Sequence, residues 1–349
     1  MAFSEGKTTI VLGAGASCEA GLPVGRDLKS KIARLIDIRY ENGYNRSSGS
    51  AEIDTAFRKS VQAEGGRDIN PYLHACWKIR DAMPQAISID NYLDAHAEDM
   101  NTVVAGKLGI AQSILEAEKS STLFVNRRDG QDMINFARVE NTWFNKFVQL
   151  LTENCRVDDL PNNLSNINVV SFNYDRCLEH FIYYAIQNYY RVNAADAAEI
   201  LNNLSIYHPY GRVGSLPWQR QDTPIEFGAA PNPQNLLDIS AQIRTFTEGT
   251  DPDTSNIELI RNSVSGCDRL IFLGFAFHPM NMSLLSSEGA KSVPKVSYGT
   301  ALGLSKPDRE IIEREVKNLA GSEIDRVELR NDLTCSQLLD EYRRSLTSL

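Results

Sequence analysis

The feature that most constrains this chain is the run TTIVLG at residues 8–13, which passes directly into Ala14-Gly15-Ala16-Ser17. An uninterrupted β-branched apolar run fits a strand buried on both faces. Such a strand needs a sheet covered by helices on each side. Similar runs recur at 167–172 (INVVSF), 204–208 (LSIYH), 269–275 (RLIFLGF) and 294–300 (PKVSYGT), with helical or loop-like stretches between them. This alternation predicts an α/β fold: a Rossmann-like, mostly parallel sheet with flanking helices.

One interval is too long for a single crossover. Between Asp27 and about Asn163 no strand pattern occurs, so residues 1–30 and 160–349 are assigned to the sheet domain and 31–159 to an inserted helical subdomain. Residues 137–152 place Val139, Trp143, Phe144, Phe147, Val148 and Leu151 on one helical face. Residues 88–100 open with Ser88 as an N-cap, and Ile89, Tyr92 and Leu93 follow. The stretch 41–70 is polar and rich in Gly and Ser and is expected as a loop, and 215–256 as surface loop with one short helix. Residues 179–190 carry a stripe of Phe181, Ile182, Ala185, Ile186 and Tyr189. Helix 305–320 is expected to start at Ser305, with Asp308 in the capping-box place and Gly321 past its end.

The 349 residues are 42% apolar and 23% charged, an ordinary globular composition. Lys and Arg number 36 against 45 Asp and Glu, a net charge of −9, which argues against broad binding to nucleic acid or an anionic membrane. No run is long and apolar enough for a transmembrane helix, and the first residues lack the pattern of a signal peptide. The six cysteines are scattered singly, which predicts a reduced, cytoplasmic chain and counts against a structural zinc site.

Four segments can carry chemistry. In the first, Gly13, Ala14, Gly15, Ala16 and Ser17 link a buried strand to a helix, where free N–H groups and the Ser17 hydroxyl would hold a phosphate; a tight turn without a ligand is the other reading. A hydride-transfer fingerprint is disfavoured, because Cys18 stands at its third glycine position and Asp37 lies in a helical pattern. Gly6-Lys7-Thr8 lacks the upstream glycine of a Walker loop. In the second segment a strand ends in Asn173-Tyr174-Asp175, which either meets a ligand or caps the next helix. In the third, His208 precedes Pro209, Tyr210 and Gly211 and is the best candidate for a general base, whereas His74, His96 and His180 fall in helical patterns. The fourth is a strand ending in Gly274 and Phe275, with His278 and Asn281 beyond it.

Together and in this order, these pieces resemble the SIR2 (sirtuin-like) family: GAGAS with a trailing Gly21-Leu22-Pro23, a strand ending Asn-x-Asp, a strand with a His before Gly, and a strand ending Leu-Gly-Phe. Residues 294–308 also look like the end of SIR2-like proteins from bacterial anti-phage systems. Pro23-Val24-Gly25-Arg26-Asp27 stands where the classical deacylases carry an Asp-Phe-Arg segment, their four-cysteine zinc module has no counterpart, and Tyr210 holds the place of the family histidine. His208, two residues earlier on the strand, would point to the same face.

The resemblance implies an NAD+ hydrolase that takes NAD as substrate and needs no metal, releases nicotinamide and ADP-ribose, and serves defence by depleting NAD. It implies phosphate binding by Gly13, Ala14, Gly15, Ala16 and Ser17, a ribose or water contact from Asn173, either organisation of the nicotinamide end or charge stabilisation by Asp175, a proton taken by His208 from water or a ribose hydroxyl, and ligand contacts from Tyr210, Gly211, Gly274 and Phe275. It also implies a homo-oligomer, with a co-encoded partner such as an ATPase. An NAD-dependent protein deacylase and a non-catalytic module binding NAD or ADP-ribose are the competing expectations.

Overall fold

The computed structural model describes residues 6–219, 224–253, 255–286, 296–319 and 324–347. The strands are β1 (Thr8–Leu12), β2 (Arg39–Glu41), β3 (Asn45–Ser48), β4 (Ile167–Ser171), β5 (Ser205–Tyr207), β6 (Arg269–Leu273), β7 (Val296–Thr300) and β8 (Arg326–Arg330). Six of them make one sheet in the order β5-β4-β1-β6-β7-β8, every neighbouring pair parallel. The expected Rossmann-like α/β architecture is therefore present. The sheet gains an edge strand, β8, whose charged RVELR sequence does not read as a buried run. Strands β2 and β3 form a separate antiparallel hairpin.

Helices α1 (Ala14–Cys18) and α2 (Gly25–Ile36) follow β1. The interval up to β4 carries α3 (Ala51–Ala63), α4 (Asn70–Ala82), α5 (Ile89–Ala95), α6 (Met100–Ser120), α7 (Trp143–Thr152) and α8 (Leu160–Ser165). Helices α9 (Cys177–Tyr190) and α10 (Ala194–Leu201) lead to β5. Between β5 and β6 lie α11 (Pro233–Ser240), α12 (Phe246–Thr250) and α13 (Ile257–Ser265). Then α14 (Pro279–Leu285) follows β6, α15 (Lys306–Lys317) joins β7 to β8, and α16 (Cys335–Glu341) and α17 (Arg343–Thr347) come after β8.

Alternation along each strand divides the apolar interior in two. Ile10 and Leu12 pack with Trp143, Phe144 and Phe147 on one face. Val11, Val170 and Phe272 pack with Ile32, Ile36 and Leu108 on the other. The helices of the 31–159 interval thus share both apolar clusters with the strands.

Two loop expectations give way to helices. Within 41–70, Ser50 caps α3 by accepting a bond from Ile53 N at 3.1 Å, and Ile53, Ala56, Phe57 and Val61 bury one face. Polar and glycine-rich flanks hid that spacing. Within 215–256, α11 packs Leu236 and Ile239 into the core beside α3 and α6, and α12 begins with a capping box at Thr245 and Glu248. The expected helix at 88–100 breaks at His96, and Asp99 caps a new one, α6. The pattern at 137–152 starts its α-helix only at Trp143, after a short 3-10 turn over Phe136–Val139. Ser305 caps α15 as expected, accepting from Asp308 N at 3.2 Å; Gly321 and residues 294–295 lie outside the described residues.

The chain leaves β1 toward β4 and leaves β6 toward β7, so the loops part between the central pair β1 and β6. Such a switch point at the carboxyl ends of parallel strands opens a crevice.

Candidate active site

The floor of the crevice is a contact between two loops. Gly13 N donates to Leu273 O at 3.1 Å, and Gly15 N to Gly274 O at 3.0 Å. A Cβ added at Gly13 would lie 2.6 Å from Gly274 O. One at Gly274, which sits at φ +59°, would lie 2.0 Å from Ala16 N. These glycines are needed first for backbone packing. Ala16 N donates to Gly13 O at 2.9 Å. The N–H groups of Gly13, Gly15 and Ala16 are therefore engaged within the protein, and α1 does not offer them to a phosphate. Ser17 is also engaged: buried, it accepts from Asn173 Nδ2 at 3.0 Å and bonds to the Asp175 carboxylate.

Two lobes open on either side of Ala14. The first, of about 400 Å³, has apolar walls that include Leu22, Leu28, Ile114 and Phe172, and into it Asn173, Asp175, Tyr210, Asp90, His278 and Asn281 bring polar groups; it is called the polar lobe for these. The second, of about 500 Å³, has apolar walls from Ala301, Leu302, Leu304 and Leu333, together with Gly15, Cys18 and Gly274. Ala14, Gly25, Phe275 and Ala276 line both lobes. Helix α2 therefore begins where the lobes meet. Its N-cap, Val24, provides no side-chain bond, and the first intrahelical bond runs from Leu28 N to Val24 O at 2.9 Å. The preceding first-turn N–H groups suit an anion.

The run after β4 behaves differently at each residue. Asn173 Nδ2 donates to Gly13 O and to Ser17 Oγ, both at 3.0 Å, so its side chain meets a ligand only as an acceptor, through Oδ1. Asp175 lines the polar lobe, yet its Oδ1 accepts from Cys177 N at 3.1 Å at the start of α9. Burial raises its carboxyl above the usual range, opposed by bonds from Ser17 and Cys177. The ligand and capping readings of Asp175 thus coexist.

His208 does not line either lobe. Its Nδ1 lies 3.1 Å from Asn173 O and its Nε2 2.9 Å from Glu179 Oε1, which Arg212 Nη1 also approaches at 3.1 Å. Both ring nitrogens are thus taken up by groups inside the protein. Burial alone would raise the Glu179 carboxyl, but His208 and Arg212 bring it down to about 2. The imidazole expected as the base therefore sits behind Asn173 and braces its backbone.

Tyr210 does reach the polar lobe, donating its hydroxyl to Asn281 Oδ1 at 2.6 Å; burial, then the charges of Asp90 and Asp94, push its phenol well up, so it stays protonated at neutral pH. Gly211 does not line a lobe; at φ +73° it packs where a Cβ would be 1.9 Å from Gln242 O. Gly274 and Phe275 do line the cleft, and Ala16 does not. The residues that sequence reasoning missed are Asp90, which accepts a hydrogen bond from the Tyr174 hydroxyl, and the opening turn of α2. The uncapped start of a helix right after Gly-Leu-Pro was the available signal for the latter.

Among the described residues no group of His, Cys, Asp and Glu is arranged to hold a metal ion, and no helix is long and apolar enough to cross a membrane. All six cysteines are free, and Cys18 alone among them is exposed. No family model matches the chain, and no curated protein matches it.

Proposed function

We propose that this chain is an NAD+ hydrolase of the SIR2-like kind, cleaving the nicotinamide–ribose bond to give nicotinamide and ADP-ribose. The observation that carries the reading is the pair of lobes joined at the start of α2. Both lobes are largely apolar-walled; Asn173, Asp90 and Asp175 in the first supply the few polar groups a ribosyl nicotinamide needs, the second has room for an adenosine, and the first turn of α2 lies between them for the pyrophosphate.

The chemistry asks little proton transfer of the protein. The C1′–N1 bond breaks with its electron pair passing to the pyridine nitrogen, so nicotinamide leaves neutral. The ribose passes through an oxocarbenium-like state and forms a C1′–O bond with water, whose proton passes to solvent. Asn173 Oδ1 orients the water or a ribose hydroxyl, and the carboxylates of the polar lobe favour the developing positive charge. His208 acts as a positioning residue through Asn173 O. A role in anti-phage defence, a homo-oligomer and a co-encoded partner follow from the family resemblance.

A second reading, a non-catalytic module that binds NAD or ADP-ribose, is favoured by one observation: the imidazole is tied to Glu179 outside the cleft. Incubating the protein with NAD+, with and without an acetylated peptide, separates the readings. Nicotinamide released without peptide is the expected result; peptide-dependent release, or ADP-ribose binding with no turnover, would overturn it.

A further inference from the structure

The polar lobe is acidic. Its described lining includes Asp90 and Asp175, one imidazole, His278, and no Lys or Arg. Asp175 is only 7% exposed, and its carboxylate is taken up by Cys177 N and Ser17. Asp90 is different. It stands in the first turn of α5, is partly exposed, and is held by the Tyr174 hydroxyl and by Ser88. Tyr174 follows Asn173 directly, so the strand end that aims Asn173 into the lobe also anchors Asp90 beside it. Burial raises the Asp90 carboxyl, and an arriving cation would offset that burial.

We propose that Asp90 receives the cationic nicotinamide ring, so that the polar lobe selects the oxidised coenzyme over the reduced one. This rests on the reading of the cleft as an NAD+ site. The dihydronicotinamide ring is neutral and has the same outline, so a carboxylate in a partly desolvated lobe tells the two apart by charge alone. Asp175 is the more deeply buried of the two carboxylates and is tied by Cys177 N to the start of α9, which leaves Asp90 as the one nearer the entering ring.

The test is calorimetry on the full chain with the uncleavable carba analogue of NAD+, the reduced form of that analogue, and ADP-ribose. The wild-type protein is expected to bind the oxidised analogue at least about tenfold more tightly than the reduced one. Asp90→Asn is expected to remove most of that preference while changing ADP-ribose affinity less than about twofold. Equal wild-type affinities for the two analogues would overturn the proposal without any variant. So would an Asp90→Asn protein that keeps the preference. Turnover is scored separately. Charge-selective binding without nicotinamide release would remove the hydrolase reading and leave Asp90 in place; no binding of any of the three would remove both.

Discussion

At the scale of single residues, Asn173 and His208 divide one task. Asn173 uses both amide hydrogens to hold the loop after β1 and keeps an acceptor for the ligand. Asn173→Ala is expected to lower nicotinamide release by about 100-fold or more and to cost about 1–3 kcal/mol of stability, since Gly13 O and Ser17 lose a donor. Turnover assays and urea titration on the same preparation check both. His208→Gln is expected to act mainly on stability, by about 1–3 kcal/mol, because it leaves buried Glu179 with Arg212. Turnover lost at unchanged stability would return His208 to the chemistry. Asn173 and Asp175 were legible because polar residues closing a buried strand face the crevice. Asp90 was not, since a carboxylate in the first turn of a helix is also what the helix dipole favours. The engagement of Gly13 and Gly15 was illegible too, since it depends on the remote Gly274.

Among the elements, α2 and α9 carry the clearest consequences. A Cβ added at Gly25 meets nothing within 4 Å, and Gly25 lines both lobes. Gly25→Leu is expected to weaken ADP-ribose binding at least about tenfold while stability shifts by less than about 0.5 kcal/mol, as calorimetry and thermal melting would record. In α9, Glu179 and His180 make the fold acid-sensitive. The Glu179 carboxyl is held at about 2 against its ordinary 4.5, so its contribution is complete above that value and fades as pH falls toward 2. Burial pushes the His180 ring, stacked on Phe227, down to about 3 from 6.5. The unfolded chain therefore takes up a proton first, and stability falls as pH drops from 6.5 toward 3. Urea titrations at intervals across this range should show the decline, with a flatter lower part in Glu179→Gln. The strands were legible because burial on both faces leaves an unbroken apolar run. Helix α3 was not, because four apolar residues at helical spacing stood between polar, glycine-rich flanks.

For the molecule as a whole, one ion pair joins three distant segments. Arg176 and Glu118, both fully buried, meet at 2.6 Å, and Arg176 also donates to Ile225 O at 2.6 Å and Glu226 O at 3.1 Å. Glu118 accepts in turn from Gly228 N at 3.0 Å. The end of α6, the exit of β4 and the 225–228 segment are thereby tied together. Glu118→Ala is expected to cost about 3–5 kcal/mol, because it strands a buried guanidinium. A cost near zero in chemical denaturation would show that water reaches Arg176. The parallel sheet could be read from alternation of patterns along the chain; this convergence could not, because nothing local marks which carboxylate a buried arginine will find.

The seam between the loops after β1 and β6 is made of main chain, so it has no side chain that substitution could refine; replacing its glycines can only pry it open. Ile87, Ser88, Asp90 and Asn91 also line the cleft, and none of them is a glycine. Change in what such a chain accepts is thereby channelled into that stretch. An altered ligand preference is reached by rewriting the start of α5, with the glycine seam left as it stands.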